Sequence, residues 1–325
     1  MTATLTIPAN ASTRRRASAR LVAYPCDLCG SRDAIEAPYA RRYTGNQPIH
    51  ICKRCGLVYV KYRRRPEDVA ATWSDQLFGP HYYTARIPAV IARQTYVAAF
   101  IDQQIGLRGQ RVCDVGTGEG QFLEIIRRTE YGARVFGTEA AGQYCRRLTR
   151  QRLPCFNGTV EAFAAKPGKH RRAFDIVTLM WTLECCGAPR QILMACRELL
   201  KPNGHIVVAT GSRMLVPFKK PLHLYLSTAP ADTSPVRFSA NTLHGLLAVC
   251  GFESVHANRY IDSDILCMIG RQRHLTAGSG WRGDDYRDVA AFFRRWHRET
   301  RYYKTDVTAA WGAPAVAPHA RRSTE

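Results

Sequence analysis

The chain lacks any run of about 18 apolar residues, the length a membrane-spanning helix needs. Its first stretch, MTATLTIPANASTRRRASAR, lacks the apolar segment of a secretory signal, and residues 1–20 read as a basic tail without regular structure. Acid is scarce. The 26 Asp and Glu face 47 Lys and Arg, a net charge of +21. Residues 1–65 hold 13 of those cations against only Asp27, Asp33 and Glu36. Such a field draws phosphate-bearing partners: nucleic acid, nucleotide-sugars or an anionic membrane surface. There is no internal repeat, which excludes a solenoid.

Cysteine is plentiful, with 12 in 325 residues. Without a secretion signal the expectation is a reduced, cytoplasmic chain rather than a disulfide framework. Four cysteines stand apart. Cys26 and Cys29 form one C-x-x-C in YPCDLCGSRD, and Cys52 and Cys55 form another in IHICKRCGLVYVKY. Glycine follows each pair, at Gly30 and Gly56, so the backbone can turn its amides toward the sulfurs. Two such knuckles supply the four thiolates of a closed, structural Zn2+ site. PIHIC and GLVYVKY supply strands, so 21–65 is expected to be a zinc ribbon. The other cysteines lie mostly in apolar runs and read as small core residues.

Residues 66–105 read as a helical linker with an aromatic loop, FGPHYYTARIP, whose Tyr82 and Tyr83 are candidates to close over a ligand. From 106 to 275 strands and helices alternate: RVCDV, GQFLEIIRR, ARVFGTE, AGQYCRRLTRQR, LPCFNG, AFDIVTLMW, PRQILMACRELL, HIVVAT, SANTLHGLLAVCGF, ESVHANRY and DILCMIG. That alternation predicts an α/β fold, a mostly parallel, Rossmann-like sheet with helices on both faces. Residues 276–325 add a helix with Tyr286, Val289, Phe293 and Trp296 on one face, then an irregular end.

The glycines of VCDVGTGEGQF lie between the first strand and its helix. Gly116, Gly118 and Gly120 permit the turn and clear the side chains that would block a ligand at the sheet's carboxyl edge. Alone, that pattern also fits a dinucleotide fingerprint. Glu139 adds a second anchor, about 20 residues on and ending the second strand, where a carboxylate can take two ribose hydroxyls. Gln121 and Phe122 follow Gly120 where a pyrophosphate loop would place its last glycine, which disfavours a dinucleotide.

Four segments, VCDVGTGEG, VFGTEA, FDIVTLMWTLE and RELLKPNGHIVVAT, resemble in order and spacing the motifs of class I S-adenosylmethionine (SAM)-dependent methyltransferases, over roughly 111–271. The cysteine motif ahead of them, with its YY segment, resembles a subgroup that carries a zinc ribbon and is often linked to sugar, glycan or natural-product modification. The resemblance implies a seven-stranded sheet and a SAM site. Asp114 and the 116–120 loop, with Gly116, Thr117, Gly118 and Gly120, would hold the methionine part, and Glu139 the ribose. Val160 and Glu161 would flank adenine, while Met180 and Trp181 would line the sulfonium, whose charge suits an aromatic neighbour. Tyr83 would close over the cofactor. The subgroup commonly reads Leu-Glu-His after the fourth strand; this chain reads Leu183, Glu184, Cys185, Cys186, so a histidine base is missing there. His223, in KKPLHLYL, is the next candidate for a general base.

The expected acceptor is a small molecule, nucleotide-sugar or glycan, met by the insert 212–238, where Lys219, Lys220 and Arg237 can face a phosphate. An RNA or DNA methyltransferase is the alternative, with the basic ribbon as a nucleic-acid module and Tyr39, Tyr43 and Tyr59 stacking on bases. Against it, no Asn/Asp-Pro-Pro-Tyr motif for base amines occurs, and Pro154–Cys155 falls in the third strand, the wrong place for a cytosine nucleophile. A non-enzymatic SAM-binding interaction protein is the third reading.

Overall fold

The computed structural model describes residues 21–69, 87–166, 168, 170–211, 213–218, 220–226, 231–273 and 280–302. The basic tail, the loop with Tyr82 and Tyr83, Lys219 and the chain end lie outside the described residues.

The N-terminal unit is built from β1 (Val22–Ala23), β2 (Ala34–Glu36), α1 (Ala40–Tyr43), β3 (His50–Cys52), β4 (Val58–Tyr59) and β5 (Tyr62–Arg63). β2, β3 and β4 form an antiparallel ribbon, and β1 pairs with β5. Gly30 and Gly56 adopt φ of +73° and +70°, so each chain doubles back: Gly30 N–H donates to Cys26 O and Gly56 N–H to Cys52 O, both at 2.9 Å.

Then follow α2 (Ile87–Ile105), β6 (Arg111–Val115), α3 (Gln121–Arg127), β7 (Arg134–Glu139), α4 (Gly142–Arg150), β8 (Cys155–Asn157), α5 (Val160–Ala165) and β9 (Phe174–Met180). A 3-10 turn, Leu183–Cys185, leads to α6 (Pro189–Leu199), β10 (Leu200–Thr210), α7 (Leu222–Leu226), a second 3-10 turn (Ala231–Thr233), β11 (Val236–Arg237), α8 (Ala240–Val249), β12 (Phe252–Ala257), β13 (Leu266–Gln272) and α9 (Tyr286–Thr300). The main sheet has seven strands in the order β12-β13-β10-β9-β6-β7-β8. β8, β7, β6, β9 and β10 run parallel, and β13 is antiparallel to both its neighbours. The expected seven-stranded, Rossmann-like sheet is therefore present.

Alternate residues of the central strands feed two cores, because successive side chains leave opposite faces. Cys113, Val115, Val177 and Leu179 pack with α6 and α8 residues on one face. Val112, Ile176 and Met180 pack on the other with α2 and α3. Within the stretch 66–105, expected to be a helical linker, the helix α2 packs into this core. Val97, Ala98 and Ile101 of α2 are fully buried against Phe122, Leu123 and Ile126, so α2 is part of the sheet domain.

The ribbon is joined just as closely. β11 pairs antiparallel with β4, Val236 opposite Tyr59 and Arg237 opposite Val58, making one sheet of β11-β4-β3-β2. Buried Arg63 pairs with Asp27 at 2.7 Å and donates to Gly187 O at 2.9 Å. Arg64 pairs with buried Asp232 at 2.7 Å. α9 covers the ribbon's other side, packing Val289, Phe293 and Trp296 with Ile49, Ile51 and Val60. Among the described residues no helix is long and apolar enough to cross a membrane.

Candidate active site and metal centre

Sheet order reverses at β6, whose successors lie on one side (β7, β8) and then the other (β9, β10). A crevice opens at such a switch point, at the carboxyl ends of β6 and β9. The loops leaving those strands touch there. A Cβ on Gly116 would come within 2.7 Å of Thr182 Cγ2, and one on Gly120 within 2.3 Å of Leu148 Cδ2. Gly116, Gly118 and Gly120 also have φ of +66°, +55° and +83°. The three glycines thus answer two demands, a left-handed backbone throughout and close approach at the outer two.

Glu139 ties this loop to β7. Its Oε2 accepts from Gly118 N–H and its Oε1 from Ala141 N–H, each at 2.8 Å. Burial pushes its carboxyl above the usual range, and those backbone bonds oppose the rise. Each carboxylate oxygen keeps a second lone pair, so two hydroxyls can still be accepted. Asp114 is buried one strand away, where its Oδ1 accepts from Thr178 Oγ1 at 2.6 Å. Burial pushes its pKa up to about 7. Thr117 is also buried, its methyl packed where Gly137 has no Cβ; one there would sit 2.8 Å from Thr117 Cγ2.

Gly158 N–H donates to Glu139 O at 2.9 Å, bringing the start of α5 beside the loop. Val160 there is buried in the core, whereas Glu161 is only half-buried and its Oε2 has no partner among the described residues. Met180 is buried, and Trp181 leaves β9 with φ of +56°, held by its N–H donating to Ala209 O at 2.7 Å. A bulky residue in that conformation is strained, and such strain gathers at functional sites. Asp114, the glycine loop, Glu139 and Trp181 therefore share one edge. Tyr83 lies outside the described residues. His223 has its ring centre 6.0 Å from that of Tyr43 of the ribbon, beside Leu222 and Leu226 in the core under α9.

The site contains a residue that the sequence reading did not single out. Glu184 is buried in the turn after β9. Its Oε1 accepts from Gly211 N–H at 3.3 Å and Thr210 donates to the same carboxyl, but buried Oε2 has no partner among the described residues. Buried Trp181 Nε1 also has none among the described residues, and lies 3.4 Å from where a Gly211 Cβ would be. A donor and an acceptor thus stand orphaned around one glycine. Burial pushes Glu184 up to about 7. In the sequence it is the Glu of Leu183-Glu184-Cys185-Cys186, where the resemblance drew attention to the missing histidine rather than to this acid.

In the ribbon, one sulfur from each of Cys26, Cys29, Cys52 and Cys55 lies within 4.8 Å of every other. Cys26–Cys55 and Cys29–Cys52 are 3.5 Å apart, too long for disulfides. A tetrahedral zinc with 2.3 Å bonds places its sulfurs about 3.8 Å apart, so the donor set fits that ion. Contact with Cys52 pushes the Cys26 thiol up, and contact with Cys26 pushes Cys55 up. A divalent cation at the centre removes that conflict. The base-stacking expectation fares poorly here. Tyr59 is fully buried, Tyr39 stacks on His297 at 3.8 Å, and Tyr43 OH bonds His297 Nδ1 at 2.8 Å.

The sheet order, the glycine loop and the strand-end carboxylate together define a class I SAM-dependent methyltransferase. Residues 89–257, more than half of the chain, match the family described as a methyltransferase domain, and the chain belongs to that family. It is similar to the ubiquinone biosynthesis O-methyltransferase of Cronobacter sakazakii, 36% identical over 117 residues, 33% of this chain and 45% of that one. The Vibrio cholerae protein of the same name is 34% identical over 154 residues, 45% of this chain and 58% of that one. The chain spans about half the length of the curated relatives it matches. A solved structure of Burkholderia thailandensis 1,6-didemethyltoxoflavin-N1-methyltransferase, with bound 1,6-didemethyltoxoflavin and S-adenosylhomocysteine, is 17% identical with a TM-score of 0.48, covering 67% of this chain and 95% of that one.

Proposed function

We propose that the protein moves the methyl group of SAM onto a hydroxyl of a small-molecule acceptor. The observation that carries the cofactor half is Glu139, pinned by Gly118 and Ala141 with lone pairs left for ribose. Asp114 and the loop 116–120 would hold the methionine end, Val160 and Glu161 the adenine, and Met180 and Trp181 the sulfonium, with Tyr83 closing over them. The hydroxyl half rests on Glu184 and Trp181. Trp181 N–H would orient the acceptor oxygen and Glu184 would take its proton as oxygen attacks the methyl carbon in line with the departing sulfur. Glu184 is put forward for this role ahead of His223, whose ring lies beside Tyr43 of the ribbon. Relatives named as O-methyltransferases agree with a hydroxyl acceptor. A sugar or glycan hydroxyl falls within the same chemistry.

The ribbon would hold one structural Zn2+ through Cys26, Cys29, Cys52 and Cys55. With four thiolates bound, the ion has no open position and serves stability rather than chemistry.

Glu139→Ala tests the cofactor half. Losing charge-assisted bonds to two hydroxyls is expected to weaken SAM binding about 10- to 100-fold in calorimetry. Unchanged affinity in a folded variant rejects the ribose role. Radiolabelled methyl transfer from SAM into a cell extract tests the acceptor half. Label surviving nuclease in the small-molecule fraction is the expected result, and label released as methylated nucleotides would favour nucleic acid.

A further inference from the structure

Three arginines stand near the seam between ribbon and sheet domain, and two are neutralised. Arg63 and Arg64 each meet a carboxylate at 2.7 Å. Arg237 does not. It is 3% exposed, its Nη1 donates to Ser234 O at 3.2 Å, and its guanidinium lies 5.8 Å from the Tyr225 ring centre. No carboxylate pairs with it among the described residues. One carbonyl and an aromatic face leave most of its five N–H donors without an acceptor. A buried cation in that state is costly unless an anion arrives.

Its position says which anion. Ser234 Oγ lies 3.8 Å from Cys185 Sγ, and Cys185 Sγ donates to Trp181 O at 3.7 Å. Arg237 is therefore three contacts from Trp181, through Ser234 and Cys185, and Cys185 adjoins Glu184 in the same turn. β11 also pairs with the ribbon, Arg237 opposite Val58, and Val60 N–H donates to Pro235 O at 2.8 Å. The ribbon thus fixes the backbone that carries the guanidinium.

We infer that Arg237 anchors an oxyanion group of the methyl acceptor, a carboxylate or a phosphate monoester, and that the ribbon holds it in place. This rests on the methyltransferase reading of the adjoining site. A guanidinium fork binds either group by paired N–H bonds and gives little to a neutral amide. The acceptor would be bound at two points, its oxyanion at Arg237 and its hydroxyl between Trp181 and Glu184.

The test uses the full chain loaded with S-adenosylhomocysteine and titrated in a calorimeter with benzoate, phenyl phosphate and benzamide. The expected result is tighter binding of at least one anion than of benzamide, by tenfold or more; the tighter of the two identifies the group. Arg237→Met is expected to bring the three ligands within about twofold, and Arg237→Lys to keep part of the preference. Benzamide binding as well as the anions, no binding by any probe, or a preference that survives Arg237→Met overturns the anchor. Melting temperature is the second readout. An arginine held for a ligand leaves Arg237→Met as stable as the parent or more so, whereas a structural arginine makes it melt lower. The loading step separates the two ideas. Failure of S-adenosylhomocysteine to bind rejects the cofactor reading, and the anion preference is then measured on the unloaded protein.

Discussion

Cys52→Ser should leave the protein without zinc and at least about 4 kcal/mol less stable, the scale of losing a structural metal. For a chain of this size that is a fall in melting temperature of about 6 °C or more. The size follows from how the ribbon is built in. Cys26, Cys52 and Cys55 are buried in the same core as Phe238, Leu243 and Leu247 of the sheet domain, so a collapsed knuckle opens a seam rather than a loose end. Arg63 and Asp27 would also lose the burial that makes their pairing strong. The loss should be selective in function. The bonds holding the cofactor edge run within 114–182, from Thr178 to Asp114 and from Gly118 and Ala141 to Glu139. SAM affinity should therefore survive at temperatures where the variant is still folded, while methyl transfer falls. Elemental analysis gives the metal content, and differential scanning calorimetry the stability. A metal-free parent protein as stable as its zinc-soaked form rejects the site.

The parts legible in the sequence are those where one residue type answers a local demand. Glycine at 116, 118 and 120 marks a left-handed turn, and paired cysteines followed by Gly30 and Gly56 mark two knuckles. Both patterns are short-range, and the structure places them as expected. At the start of α8 Ser239 and Thr242 cap each other's backbone, another short-range device. What escaped was long-range. β11 is two residues, Val236–Arg237, and no periodicity marks so short a strand as the partner of one about 180 residues earlier. The ribbon therefore read as a separate module. α2 read as linker because an apolar helical face does not announce what it packs against. Glu184 escaped for a different reason. Its role depends on burial and on the orphaned Trp181 N–H beside Gly211, and both exist only after β9 and β10 have paired. His223 lies within the acceptor insert 212–238, and in the fold its ring is beside Tyr43 of the ribbon.

Glu184→Gln should lower kcat about 10²- to 10⁴-fold, the range of a lost general base, and leave SAM binding within about twofold. The base must be ionised to work. Burial raises its pKa to about 7, so in the parent protein activity should climb through pH 7 and level off above it. The variant should lose that limb. Asp114 is also pushed up to about 7, so the profile is read as kcat at saturating SAM, where an Asp114 effect on cofactor affinity drops out. Stability gives an independent sign. The unfolded carboxyl titrates near 4.3. Between there and about 7 the folded Glu184 holds a proton that the unfolded chain has released, so its ionisation removes stability as pH rises through that window. Glutamine stays neutral throughout. Glu184→Gln should therefore gain stability relative to the parent as pH rises from about 4 to 7, with the gain complete above 7. A surface glutamate would show neither effect. A variant with normal kcat would remove Glu184 from the chemistry. Slow turnover with an unchanged pH limb would leave it an orienting group, with the proton leaving by another route.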